Sequence, residues 1–102
     1  MREVIGAIAH PLRAAMLREI AERPRTVPEL AARLDAAPSK VRYHARRLQR
    51  LRIIDIDRDT RPPTCRLGAA VQCLAGPTVT VVTITARDGG TISFPLASLG
   101  GR

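Results

Sequence analysis

Hydrophobic residues recur at helical spacing through the first half of the chain. The pattern predicts a short helix over residues 2–9 and a second helix over residues 11–22, each with one apolar face. Thr26, followed by Glu29 three residues later, has the spacing of a capping box at the start of a third helix. The N-terminal part of the chain is therefore expected to be helical.

A fourth helix is predicted near Pro38 and is expected to run to about Leu51. Its N-terminus is marked either by Ser39 or by Ala37, with Pro38 then in the first helical position. Its apolar positions are Val41, His44, Ala45, Leu48 and Leu51. Cations occupy most of its other positions, a geometry suited to a helix that lies between a protein core and a phosphate backbone.

The apolar period changes to two after the fourth helix. Residues 54–57 alternate between isoleucine and aspartate, and residues 64–67 can return as a second strand beyond a polar, proline-rich tip. Two short strands directly after a basic helix are typical of a wing. Cys65 shares the inward face of its strand with Leu67 and is expected to be a small core residue.

The last third of the chain carries almost no charge. Residues 68–75 are apolar and ambiguous between helix and loop, whereas residues 78–86 and 91–94 predict a hairpin about the turn sequence Asp88-Gly89-Gly90. A β-branched run in this hairpin is more than a domain this small is expected to cover alone. It contains Val79, Val81, Val82 and Ile84, with Phe94 and Leu96 on the return strand. The hairpin is therefore expected to form a dimer interface or to cap the core. The alternative dimer interface is the equally apolar N-terminal helix, which carries Val4, Ile5 and Ile8.

The formal net charge of the 102 residues is +8, and it is concentrated in one segment. Six cations and no acid stand between residues 38 and 52: Lys40, Arg42, Arg46, Arg47, Arg50 and Arg52. Ordinary surfaces intersperse the two signs, so we interpret this segment as a nucleic-acid contact. Tyr43 and Phe94 are the only aromatic residues, which argues against modules that stack bases on aromatic platforms.

The sequence gives almost no support to an enzymatic function. It has no glycine-rich phosphate loop, metal-ligand cluster or nucleophile–base spacing, so no catalysis, metal or cofactor is expected. His44 is expected to be packed in the core and His10 to lie at a turn or cap. A redox pairing of Cys65 with Cys73 is the alternative to two unpaired thiols. No targeting signal or membrane span is evident, so a cytoplasmic location is expected.

Three stretches of the sequence resemble the ArsR-type winged helix-turn-helix family. They are HPLR at residues 10–13, TVPELAARL at residues 26–34 and SKVRYHARRLQRL at residues 39–51. The resemblance covers about the first two-thirds of the chain. It implies an α+β winged helix-turn-helix fold and a homodimeric repressor or activator of transcription that binds double-stranded DNA, with the last quoted helix in the major groove. Of the two roles a repressor is the expectation, although the sequence itself leaves an activator open. The domain plan is then a winged helix-turn-helix over residues 1–67, a connector over 68–76 and a hairpin extension over 77–102.

The sequence departs from the family pattern at three places. Asp35 replaces a glycine at the turn, which aspartate tolerates at positive φ. Arg52 replaces the glycine before the wing, so that helix end is expected to be built differently. The helix at residues 26–34 lacks the paired cysteines of metal-sensing members, so no thiophilic metal is expected and the effector stays unknown.

Nine residues are predicted to contact DNA: Ser39, Lys40, Arg42, Tyr43, Arg46, Arg47, Arg50, Arg58 and Arg61. The N-terminal half of a recognition helix meets base edges, where Arg42 and Arg46 could each read guanine. Lys40 and Arg47 suit phosphates, and the wing arginines suit phosphate or the minor groove. The aspartates of the wing weigh against strong binding there. The alternative function is a protein-interaction winged helix whose basic helix meets an acidic protein.

Overall fold

The helices lie where the hydrophobic pattern predicts them. The computed structural model describes residues 1–99. Its four helices are α1 (Arg2–Ala9), α2 (Pro11–Glu22), α3 (Val27–Leu34) and α4 (Pro38–Arg50). Its six strands are β1 (Arg25–Thr26), β2 (Ile54–Asp57), β3 (Thr64–Leu67), β4 (Val71–Ala75), β5 (Thr80–Thr85) and β6 (Thr91–Pro95), with a 3-10 turn at Leu96–Ser98. The expected α+β winged helix-turn-helix fold is confirmed.

Local hydrogen bonds fix the helix starts. The predicted capping box of α3 is present, because Glu29 N–H donates to Thr26 Oγ1 at 3.3 Å and Thr26 N–H donates to Glu29 Oε1 at 3.0 Å. His10 caps α2 by accepting from the N–H of Leu12 at 3.3 Å. Of the two predicted starts for α4, the structure has the one with Ala37 as N-cap.

Two non-glycine residues adopt left-handed conformations at the ends of α3 and α4. Asp35 ends α3 at φ 50°, as expected for its place in the turn. The expectation that α4 ends differently because it lacks a glycine is wrong, since Arg52 itself adopts φ 62°. Its N–H donates to Gln49 O, and the N–H of Ile53 donates to Leu48 O, both at 3.0 Å. This pair of bonds is a Schellman motif, which satisfies the last carbonyls of the helix.

The wing is the expected hairpin, with one strand added. β2 pairs antiparallel with β3 in a register that sets Ile54 against Leu67 and Ile56 against Cys65. The two-residue β1 joins the other edge of β3, so this sheet has the order β1-β3-β2. The short strand before α3 therefore anchors the wing to the helical part.

The connector predicted over residues 68–76 contains a strand, which is a correction to the sequence reading. β4 lies antiparallel to β5, with Val71 opposite Ile84 and Cys73 opposite Val82, and the second sheet has the order β4-β5-β6. Its five residues are too few for their period to be decisive, and the pairing with β5 sets their conformation. Gly89, at φ 89°, forms the turn before β6.

The second sheet packs one face on the core of its own chain. Val82 and Ile84 are fully buried, in one hydrophobic cluster with the helices and the wing. The opposite face leaves Leu74 67% exposed and Val79 43% exposed. The β-branched run is thus covered on one side within the chain, whereas a dimer role for the other side stays a prediction.

Backbone contacts tie the second sheet to the end of α4. Gly68 N–H donates to Ile53 O at 2.8 Å, and Ala70 N–H donates to Arg52 O at 3.0 Å. A Cβ on Gly68 would lie 2.2 Å from Arg52 O, so only glycine permits this approach. Arg87 also donates to Arg50 O at 2.6 Å. These bonds give the C-terminus of α4 a fixed position.

Candidate nucleic-acid interface

Helix α4 separates an apolar face from a basic one. Its buried residues are Val41, His44, Ala45 and Leu48. Ser39, Tyr43, Arg46 and Arg50 follow one another at intervals of three or four residues and so form one line on the opposite side of the helix. All nine residues predicted to contact DNA are exposed. Their individual roles stay predictions.

Eight of the nine predicted contact residues line three grooves around α4. Arg42 and Arg46 share one groove with Arg58 of the wing. Ser39, Lys40 and Tyr43 line a second groove with Leu12 and Asp35, at the N-terminal end of α4. Arg47 and Arg50 line a third with Arg13 of α2 and Glu3 of α1. The side of α4 that carries Arg42 and Arg46 thus faces the wing, and its C-terminal cations face α1 and α2.

Arg61 lies outside these three grooves, exposed at the tip of the wing. The structure therefore places Arg58, but not Arg61, beside the arginines of α4.

The cations of α4 and the wing tip lack ionic partners inside the part of the chain that the structure describes. Within residues 1–99, salt bridges engage Arg23, Arg25, Arg33, Arg66 and the N-terminal amine. None engages the seven predicted contact cations, which are Lys40, Arg42, Arg46, Arg47, Arg50, Arg58 and Arg61. Their charge is compensated only by solvent, so this surface attracts polyanions.

The acids of the wing are partly occupied. Arg66 donates to Asp57 Oδ2 at 2.9 Å, while Asp57 Oδ1 accepts from the N–H of Asp59 at 2.9 Å. Asp57 therefore caps the tip turn and neutralises Arg66. The wing acids repel an incoming phosphate less than their number suggests, and Arg66 is not an unpaired cation.

Sequence reasoning missed Arg13, which positions α4 from α2. Its Nε donates to Nδ1 of His44 at 3.0 Å, and the rings of His44 and His10 are 4.6 Å apart. His44 is buried and hydrogen-bonded, as expected. Burial lowers the pKa of His44, and the positive charges of His10 and Arg13 lower it further, so its neutral form holds this bond. The HPLR sequence was the signal that could have indicated this role.

Tyr43 has a preset orientation on the outer side of α4. The Arg47 guanidinium carbon lies 5.8 Å from the Tyr43 ring centroid, and Arg47 Nη1 is 3.5 Å from its hydroxyl. On the other side, the Tyr43 ring meets His44 edge-on at 5.1 Å. Although Tyr43 is 55% exposed, these contacts restrict its rotamers.

The thiols and histidines do not build a metal site within residues 1–99. Those residues contain no group of three or more His, Cys, Asp or Glu side chains able to hold a metal ion. Cys65 is buried in the wing sheet, Cys73 is half-buried in β4, and both are unpaired thiols. Burial raises the pKa of each thiol, which disfavours the reactive thiolate that a redox switch needs.

Comparison with known families gives this arrangement a name. Residues 8–57, which run from the end of α1 to the end of β2, match the family model of a helix-turn-helix domain. Over these residues the chain is similar to a helix-turn-helix domain. In such domains the second helix of the motif enters the major groove of DNA, and here that helix is α4, preceded by α3 and the turn at Asp35. No curated protein and no solved structure matches the chain.

Within residues 1–99, every helix falls short of the length and apolarity that a membrane crossing requires.

Proposed function

We propose that this chain is a sequence-specific transcriptional regulator that binds double-stranded DNA through α4 and the wing. The observation that carries the proposal is the set of seven exposed cations without ionic partners on α4 and the wing, counted over residues 1–99. A solvated surface normally mixes both signs, whereas a DNA-binding surface concentrates positive charge.

The outward line of α4 supplies base contacts. Ser39, Tyr43 and Arg46 project farthest from the core, and Arg42 lies beside them toward the wing. Arginine donates two parallel hydrogen bonds to O6 and N7 of guanine, the commonest specific contact in the major groove. Arg42 and Arg46 are therefore assigned to guanine, and the DNA site is expected to contain guanine in each half.

The flanking cations supply phosphate contacts. Lys40 and Arg47 lie on the α2 side of α4, while Arg50 stands at its C-terminal end and Arg58 and Arg61 stand on the wing. Five phosphate contacts give a slope of about −4.5 for the logarithm of the binding constant against the logarithm of salt concentration. These contacts position the domain without reading sequence.

Selection of bound genomic fragments, followed by footprinting, tests the proposal. We expect one protected sequence motif, and an affinity for it that falls with salt at the slope given above. Arg18→Gln is the matched control, because Arg18 is an exposed arginine of α2 outside the three grooves. Equal affinity for all duplexes would contradict sequence reading. A high-affinity complex with an acidic protein and none with DNA would replace the proposal by the protein-interaction alternative.

We further propose that the regulator is a homodimeric repressor paired through its second sheet. β4 is an edge strand without charged residues, and the outward row across the sheet joins Leu74, Val81 and Pro95. A two-fold pairing would repeat α4 at a spacing of roughly 34–36 Å, one turn of DNA, and a bound dimer would occlude a promoter. The exposed Ile5 of α1 offers a rival apolar contact.

Sedimentation of two variants decides between these surfaces. Leu74→Lys is expected to sediment as a monomer at micromolar concentration, while Ile5→Lys is expected to remain a dimer like the parent. The reverse result would assign the interface to α1, and a monomeric parent would contradict the dimer.

A further inference from the structure

The groove between α4 and the wing, called here the wing groove, combines three arginines with an apolar floor. Arg42, Arg46 and Arg58 line it, together with four prolines: Pro28, Pro38, Pro62 and Pro63. Within residues 1–99 these arginines form no salt bridge and no hydrogen bond to another residue's side chain. No carboxylate lines the groove. Its charge therefore fits an anion.

The apolar floor of the groove suits a ligand that has an apolar part in addition to an anionic group. Four proline rings surround the space, and Val27, Ala45 and Ile56 complete the apolar part of its lining. Proline lacks a backbone N–H, so these walls offer few donors to a polar ligand. A DNA phosphate would engage the guanidinium groups and leave this apolar surface uncovered. An occupant that also has a flat apolar body would cover both.

The volume of the wing groove limits the size of the ligand that it can hold. The volume of the wing groove is about 180 Å³. A cavity of about 150 Å³ is enough to hold benzene, so the groove admits one aromatic ring with a carboxylate attached. Guanidinium groups pair with carboxylates through two parallel hydrogen bonds and stack on aromatic faces. Both halves of a small aromatic carboxylate thus meet chemistry that suits them.

We propose that the wing groove binds a small aromatic carboxylate, and that the bound anion releases DNA. The release rests on the proposed function, because Arg42, Arg46 and Arg58 are the same groups that are assigned to DNA. A carboxylate held by these arginines occupies their donors and neutralises part of their charge, so ligand and DNA compete for one surface. By linkage, each lowers the affinity for the other by the same factor.

Direct titration without DNA tests the site itself. Sodium benzoate is added to ¹⁵N-labelled protein at constant ionic strength, with acetate, inorganic phosphate and benzyl alcohol as probes that each lack one half of the ligand. Benzoate is expected to shift the amide signals of the wing groove saturably, at a concentration at least tenfold lower than any of the other three. Equal response to benzoate and acetate would overturn the proposal, because the apolar floor would then contribute nothing.

Matched substitutions locate the ligand. Arg58→Gln is expected to weaken benzoate binding at least fivefold, whereas Arg18→Gln, which removes the same charge from α2, leaves it unchanged. Both arginines are exposed, so neither variant is expected to unfold. An equal effect of the two substitutions would show attraction by net charge alone and would overturn the site.

Competition is measured separately, by fluorescence anisotropy of a labelled duplex carrying the selected DNA motif. Benzoate is expected to raise the apparent dissociation constant for DNA linearly with the benzoate concentration, as a competitor does, while acetate at the same ionic strength leaves it unchanged. Benzoate that binds without releasing DNA would overturn the regulatory part of the proposal. Failure of the parent to bind DNA at all would instead count against the proposed function, with benzoate binding still measurable.

Discussion

Arg25 of β1 and Arg33 of α3 are paired with carboxylates of α2, whereas the arginines of α4 and the wing tip lack such partners within residues 1–99. Arg25 is the most buried of the paired group, with a side chain 4% exposed, and it bonds Glu19 and Glu22 at 3.3 Å each. Its Nε also donates to Glu19 O at 3.2 Å. Arg33 bonds Glu19 as well. This set, called here the paired cluster, holds α2 against β1 and α3.

The difference between the two regions separates structure from binding. A buried charge needs a partner, because burial without one costs several kcal/mol, so the paired cluster is complete within the chain. The exposed cations of α4 keep their hydration and can stay unpaired at the cost of mutual repulsion. Such a surface is completed by an anion from outside. The same residue type therefore stabilises the fold on one side and is expected to bind a ligand on the other.

Replacing Arg25 gives the largest expected effect on stability. Arg25→Met keeps most of the apolar volume but leaves the half-buried Glu19 with one partner fewer, so we expect a loss of about 2–3 kcal/mol in the free energy of unfolding. Urea denaturation followed by circular dichroism measures it. Arg23→Met is the control, since Arg23 is 62% exposed and its surface ion pair with Glu29 contributes little to stability. Equal stability of the two variants would show that the buried ion pairs of Arg25 stabilise the fold no more than the exposed pair of Arg23.

Replacing an arginine of α4 is expected to weaken DNA binding while leaving the stability of the fold nearly unchanged. Arg42→Ala and Arg46→Ala are each expected to weaken specific DNA binding by about 1–3 kcal/mol. Both side chains are exposed and unpaired within residues 1–99, so the free energy of unfolding is expected to change by less than about 0.5 kcal/mol. Mobility-shift titration at fixed salt measures binding, with Arg18→Ala as the control. Parental affinity in both variants would show that α4 is not the recognition helix.

Local interactions explain which parts of the fold were predictable. The capping box at Thr26 and the apolar face of α4 depend on residues three or four positions apart, so the sequence displays them directly. β4 depends on β5, and no short stretch displays that pairing. The conformation of Arg52 was missed for a related reason. Its left-handed backbone is held by bonds at the end of α4 and by the contact of Gly68, features that residue type alone does not indicate.

The candidate site divides in the same way. The cations of α4 are neighbours in sequence, so helical periodicity placed them on exposed sides of one helix. The bond between Arg13 and His44 joins residues 31 positions apart, and only the packing of α2 against α4 reveals it. The wing groove brings Pro28 of α3 together with Pro62 of the wing tip. Charge patterning could predict the basic surface but not the apolar floor beside it.

Acid is expected to destabilise the fold through two groups, Glu29 and His44, that both have lowered pKa values. The pKa of Glu29 is lowered mainly by its bonds to Thr26, with help from Arg23 and Arg25, so its charged form suits the capping box of α3. His44 is buried and then faces the positive charges of His10, Arg13, Lys40 and Arg47, so its neutral form suits the fold.

The sign of the pH effect follows from this lowered pKa of His44. As the pH falls, His44 of the unfolded chain takes up a proton near the ordinary pKa of 6.5, whereas His44 of the folded protein does so only at a lower pH. Stability is therefore complete above pH 6.5 and is lost as the pH falls from there through the lowered pKa. The urea midpoint is measured on both sides of pH 6.5, and its slope against pH is expected to be smaller in His44→Gln than in the parent. His10→Asn, which retains a capping side chain, is expected to keep most of the slope. An unchanged slope in His44→Gln would assign the effect elsewhere.

Metal ions are expected to have the smallest effect. The basic surface attracts anions, and within residues 1–99 no cluster of three or more potential ligands stands ready for a cation. Burial raises the pKa values of Cys65 and Cys73, which keeps thiolate, the form that binds thiophilic metals, scarce. Zinc or cadmium added to the protein–DNA complex is therefore expected to change the affinity for DNA by no more than a few-fold, as read by anisotropy. Release of DNA by metal that Cys65→Ser abolishes and Cys73→Ser preserves would contradict this, and would show that the wing sheet opens far enough to present its buried thiol.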